Sequence, residues 1–173
     1  MFTCPNNGLG DNITAYLKAN FQEGGGFVKC AIYKHADSTL VPNGTTEELE
    51  IGEGQTGWFT FNFGATKPEL TAGTEYVLVV WGIPTAMGGV TITYDDGEGT
   101  TQGHYQDLAY DSGYWPNPAS FSHEDRKYSI YCSYTPSAPP FWVIRIRERW
   151  SKRLKHQESH YWPGIHMSEF WNS

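Results

Sequence analysis

The chain has no apolar run long enough to cross a membrane, no CxxC pair, and no sustained helical period before Pro136. The first absence excludes a spanning helix. The second removes the commonest zinc and redox signatures, and the third argues against a helical bundle. Basic side chains are also scarce: residues 1–135 carry 16 acidic and 6 basic groups. Binding phosphates needs a surplus of Lys and Arg, so nucleic acid is excluded as the partner of this region. No basic and apolar leader opens the chain at Met1-Phe2-Thr3-Cys4-Pro5. The protein is therefore expected either to stay inside the cell or to be a piece of a longer secreted protein, and the second is favoured.

Aromatics replace the scarce Leu and Ile. They make up 16% of the residues, and each ring buries enough area to build a core. Nineteen glycines and ten prolines, dispersed along 173 residues, mark many turns between short elements. Ile13 to Asn20 alternates, with Ile13, Ala15, Leu17 and Ala19 on one face. Phe27 to His35 resumes the period of two, and the Gly-rich loop between predicts a hairpin. Glu47 to Ile51 reads as an edge strand whose charges discourage pairing. Trp58 to Phe63 sets Phe59, Phe61 and Phe63 against Trp58, Thr60 and Asn62. Glu75 to Trp81 is apolar on both faces, which predicts a strand covered on both sides or one that carries a ligand face. Val90 to Tyr94, His104 to Tyr110 and Lys127 to Tyr134 complete about eight short strands, the pattern of an all-β antiparallel sandwich. The domain is expected to span 1–135. A stiff linker at 136–140 leads to a basic, Trp-rich tail at 141–173. The tail is a candidate for partner contact through Trp142, Trp150 and Trp162.

Four segments resemble one module: Phe2-Thr3-Cys4-Pro5 with Ile13 to Lys18, Val28 to Tyr33, Leu70 to Tyr76, and Tyr128 to Tyr134. Their order is similar to that of jelly-roll β-sandwich modules in large extracellular proteins of archaea, bacteria and their viruses, often beside carbohydrate-recognition domains. The resemblance implies an extracellular, multi-domain setting and a non-catalytic role. It names no ligand.

The residues themselves suggest one. Tyr16, Tyr33, Trp58, Trp81 and Tyr131 fall opposite the core-facing positions of their strands, and Trp115 lies in an aromatic loop with Tyr114, Pro116, Asn117 and Pro118. Flat sugar faces stack on such rings, so a polysaccharide or glycan is the expected partner. The alternative is a structural subunit of a filament, capsid or surface layer that self-assembles through the same faces and the tail. Asp95, Asp96 and Glu98 form an acidic turn that would suit a structural calcium ion, the one cofactor the sequence suggests. His35, His104 and His123 lack metalloprotease spacing, and Ser120-Phe121-Ser122 is no nucleophile elbow, so no catalytic residue is assigned and the protein is expected not to be an enzyme. Cys30 and Cys132 both lie on apolar strand faces and are the candidate disulfide, with Cys4 competing for either.

Overall fold

The computed structural model of the protein describes residues 1–20, 25–82, 89–96 and 102–137. The chain falls into two units, Met1–Ser137 and Ala138–Ser173. The expected tail, and the linker beyond Ser137, lie outside the described residues. In chain order the first strands are β1 Phe2–Thr3, β2 Gly8–Ala19, β3 Gly26–Lys34, β4 Leu40–Thr45, β5 Leu49–Ile51, β6 Thr56–Asn62 and β7 Glu69–Leu70. They are followed by β8 Glu75–Gly82, β9 Val90–Ile92, β10 Tyr94–Asp96, β11 Gly103–Tyr105, β12 Ser122–Glu124, β13 Arg126–Tyr128 and β14 Ile130–Pro136. All pairings are antiparallel, and there is no helix among the described residues.

Two sheets of five strands share one core. In the first, the order is β1-β8-β3-β4, with β5 continuing the β4 edge of β3. In the second, it is β14-β2-β6, with β9 extending the β14 edge of β2 and β7 the β6 edge. Ile13, Ala15 and Leu17 of β2 meet Val28, Cys30 and Ile32 of β3 in a single buried cluster, closed by Phe61, Tyr76 and Ile51. Each of the large aliphatic and aromatic side chains among them contributes roughly 1.5–3 kcal/mol by leaving water. The arrangement is β-sandwich-like, as alternation along β2 and β6 requires: one face is buried and the other is open.

Three expectations are corrected. β2 and β3 do not form a hairpin: they lie in different sheets, because alternation fixes which face is buried and not which strand lies alongside. β2 also starts earlier than Ile13. Gly8 and Gly10 are strand positions against which neighbours pack closely. A Cβ on Gly8 would lie 2.4 Å from Thr135 O, and one on Gly10 would lie 2.9 Å from Pro68 Cγ. Finally, the Cys30–Cys132 disulfide is not formed, and all three thiols are free. Cys30 is enclosed at the centre of the first sheet, and burial alone pushes its pKa up. Cys132 belongs to the second sheet, and the thiol it senses is Cys4. Burial first, then Cys4 and Asp11, push it up to about 12.

A thiolate is the reactive form, so a thiol reagent should label the native protein slowly near neutral pH. In denaturant it should find three thiols, the number in the sequence; a count of one would show that two had bonded.

Candidate functional site

The aromatic set expected to form one face is divided between the two outer faces of the molecule. On the outer face of the second sheet, Tyr16 and Trp58 are direct cross-strand partners, and Tyr131 stands opposite Thr14 on the other side of β2. Trp58 is 55% exposed and Tyr131 51%, while Tyr16 is half-buried. Ring centroids are 5.4 Å apart for Tyr16–Trp58, edge to face, and 5.6 Å for Trp58–Tyr131, tilted by 55°. Such pairs hold each other's orientation.

Polar groups surround the rings on the same face. Thr14 and Thr60 share a hydrogen bond of 3.0 Å between their hydroxyls. Asn12 pairs in register with Asn62 and with Ser133, one on either side. Asn62 Nδ2 donates to Glu47 Oε1 at 2.7 Å, which leaves its amide oxygen free to accept. This face therefore presents rings that stack and hydroxyls and amides that donate or accept, on a rigid sheet.

Tyr33, Trp81 and Trp115, expected to stack on a ligand, are placed elsewhere and are occupied by the protein itself. Tyr33 and Trp81 lie at the outer face of the first sheet, under the segment 102–121 to which Trp115 belongs. Tyr33 is 1% exposed, donates to Pro116 O at 2.8 Å, and packs against Phe121 and Trp115. Burial pushes its hydroxyl up to about 12. Trp81 packs against Trp115 at 5.2 Å and Tyr110 at 5.6 Å. This explains why β8 is apolar on both faces: Leu78 and Val80 border the shared core, while Val77 and Val79 border a second cluster under that segment.

The anchor of this second layer is Lys29, a charge within an apolar strand. It is only 3% exposed. Its Nζ donates to the carbonyls of Asp111, Ser112 and Tyr114, and it sits 4.8 Å from the Trp81 ring, 4.8 Å from Trp115 and 5.1 Å from Tyr110. Three carbonyls take its three protons while three rings offer their negative faces. Burial lowers its pKa, with Glu48 and Asp111 opposing. The available signal was a lysine among Val28, Cys30, Ala31 and Ile32. Beside this layer lies a cavity of about 190 Å³, lined by Leu78, Trp81, Ile92, Trp115, Phe121 and Tyr128 among others.

The three histidines that showed no motif meet in space. His104 and His123 face each other across β11 and β12 with ring centroids 4.6 Å apart, and His35 lies 5.3 Å from His104. His104 Nδ1 donates to Gln102 O at 3.0 Å, so its Nε2 carries the lone pair, buried and without a partner among the described residues. Burial lowers the His104 pKa from 6.5. The charges of His123, the Met1 amine and His35 lower it further, against the Gln102 hydrogen bond. The unfolded chain therefore takes up this proton first, and stability falls as pH drops below about 6.5. Urea midpoints between about pH 7.5 and pH 5.5 should fall more in the native sequence than in His104→Phe. Equal falls would remove His104 from the cause.

Asp95 and Asp96 do not stand in an open turn. They belong to β10, opposite Lys127 and Arg126 of β13, and Glu98 lies outside the described residues. Among the described residues, no group of three His, Cys, Asp or Glu is arranged to hold a metal ion. No family model matches the chain, and neither a curated protein nor a solved structure matches it.

Proposed function

We propose that this is a non-catalytic, jelly-roll binding module of a longer extracellular protein. It takes a polysaccharide or glycan on the outer face of the second sheet, through Trp58, Tyr131 and Tyr16. The observation that carries the reading is the exposed ring cluster, with Trp58 wedged between two tyrosines and bordered by Thr60, Asn12, Asn62 and Ser133. Soluble globular proteins seldom leave three aromatic rings together at the surface of a sheet without a partner. The rings supply C–H stacking against sugar faces, and the surrounding amides and hydroxyls supply selectivity among sugars.

The strand order supports the jelly-roll part of the reading. One sheet runs β1-β8-β3-β4 and the other β14-β2-β6. Taking the first strand from an eight-stranded jelly roll leaves this order. Tilted rings favour a single chain over a flat crystalline surface, because rings inclined at 55° and 87° cannot lie against one plane.

Native gel electrophoresis through a panel of embedded polysaccharides tests the proposal. Retardation by at least one polymer, reversed by its soluble oligosaccharide, is the expected result. Unchanged migration through every polymer would count against it.

A further inference from the structure

We infer that the open edge of β6 is a pairing surface for a second copy of this chain, joined strand to antiparallel strand across a two-fold axis. Sheet parity decides which backbone groups are available. Along the β2–β6 ladder, Ala19 N donates to Gln55 O at 2.9 Å, and Phe63 N donates to Asp11 O at 3.4 Å. Odd-numbered residues of this strand therefore turn their N–H and C=O toward β2, and even-numbered residues turn theirs outward. Asn62 follows the rule: its C=O accepts from Glu47 N at 2.9 Å, and its N–H donates to Glu47 Oε1 at 3.2 Å. The outward groups of Thr56, Trp58 and Thr60 have no partner among the described residues.

Edges of this kind are ordinarily guarded by charge, proline or a bulge. Thr56–Asn62 holds no charged residue and no proline, and its register with β2 is unbroken. The side chains of Thr56, Trp58 and Thr60 are all exposed. β5, the short edge strand of the other sheet, carries Glu50 instead.

The free groups are complementary to a copy of themselves. With Trp58 opposite Trp58 of the partner subunit, the two exchange both N–H···O bonds, and Thr56 exchanges both with Thr60 of the partner subunit. Three donors in each of two copies are all satisfied. The length of the pairing is bounded as well. Before Thr56 the chain turns away, through Gly54 at φ +67° and a Gln55 N to Gly52 O bond of 3.3 Å. Beyond Thr60, Glu47 already occupies the place beside Asn62.

The pairing merges the two second sheets into one. It also joins the Tyr16–Trp58 row of each copy into a continuous aromatic stripe across the axis. The inference stands on backbone geometry and does not depend on what the rings bind.

Hydrogen exchange and sedimentation velocity on the full chain, without glycan, test it together. As concentration rises toward about 1 mM, the expected result is a dimer by mass and slower exchange at the Trp58 and Thr60 amides. Thr60→Pro removes an outward N–H while leaving the β2 ladder intact. It should weaken the dimer by about tenfold or more with little change in circular dichroism. If that variant does not fold, Thr56→Pro, at the first position of the strand, takes its place with the same expectation. A monomer throughout, exchange at these amides independent of concentration, or a dimer indifferent to the proline overturns the inference.

Discussion

Lys29→Met should lower the stability of the domain by about 3 kcal/mol or more and release the 110–116 segment from the first sheet. Methionine matches the length and apolar body of lysine, so packing volume is nearly kept and the loss falls on the ammonium. Removing it leaves the carbonyls of Asp111, Ser112 and Tyr114 without their donor and the Trp81, Trp115 and Tyr110 rings without their cation. Hydrogen bonds to a charged group contribute about 1.5–3 kcal/mol each, and a desolvated cation–π contact about 2. These terms share one charge and do not add, which is why the expected total is modest. In thermal unfolding the melting temperature should fall by about 10 °C, with a red shift of tryptophan emission as Trp81 and Trp115 meet water. Lys29→Arg should also destabilise, because a planar guanidinium does not fit a site shaped for a compact ammonium. A methionine variant as stable as the native sequence would show that the cage is incidental.

Trp58→Ala should weaken glycan binding by about 2 kcal/mol, on the order of 30-fold, while costing less than about 1 kcal/mol of stability. The asymmetry follows from position. Trp58 is more than half exposed and its burial in the free protein is small, so truncation removes mainly one cross-strand contact with Tyr16 and another with Tyr131. In the proposed site the same indole would be the central stacking surface for a sugar ring. Tyr131→Ala should weaken binding less, since Tyr131 contacts the cluster from one side only. Lys29→Met should barely change the affinity, because it acts on the other outer face. Binding lost in Lys29→Met and retained in Trp58→Ala would move the site to the first sheet and its cavity.

The strands were legible in the sequence wherever one face is apolar and the other polar. Ile13, Ala15 and Leu17 against Thr14 and Tyr16, and Phe59 and Phe61 against Trp58 and Thr60, state which side is buried. Sheet membership was not legible. Period-two patterns of β2 and β3 look alike whether the strands pair or face each other across a core. The break at Ser129 was also hidden. No glycine or proline marks it, yet Ser129 donates to Thr93 O and accepts from Tyr16 N, both at 2.9 Å. Lys127 and Tyr128 thereby leave for the small ribbon with β10 while β14 joins the second sheet.

The candidate site was half legible for the same reason. Tyr16, Trp58 and Tyr131 were correctly placed opposite core positions and lie together at the surface. Tyr33 and Trp81 were also placed opposite core positions, but a strand face says nothing of a second layer lying over it. The residue that holds that layer down, Lys29, is a charge in an apolar strand, and such a charge needs buried partners. Those partners are backbone carbonyls more than eighty residues away in sequence, which no local pattern can announce.

The most direct measurement is a two-dimensional NMR titration that follows the indole N–H signals of Trp58, Trp81 and Trp115 as the retarding oligosaccharide is added. The Trp58 signal should move in a saturable way, together with ring protons of Tyr16 and Tyr131, while Trp81 and Trp115 stay where they are. Movement of Trp81 and Trp115 with Trp58 at rest would contradict a binding face on the second sheet.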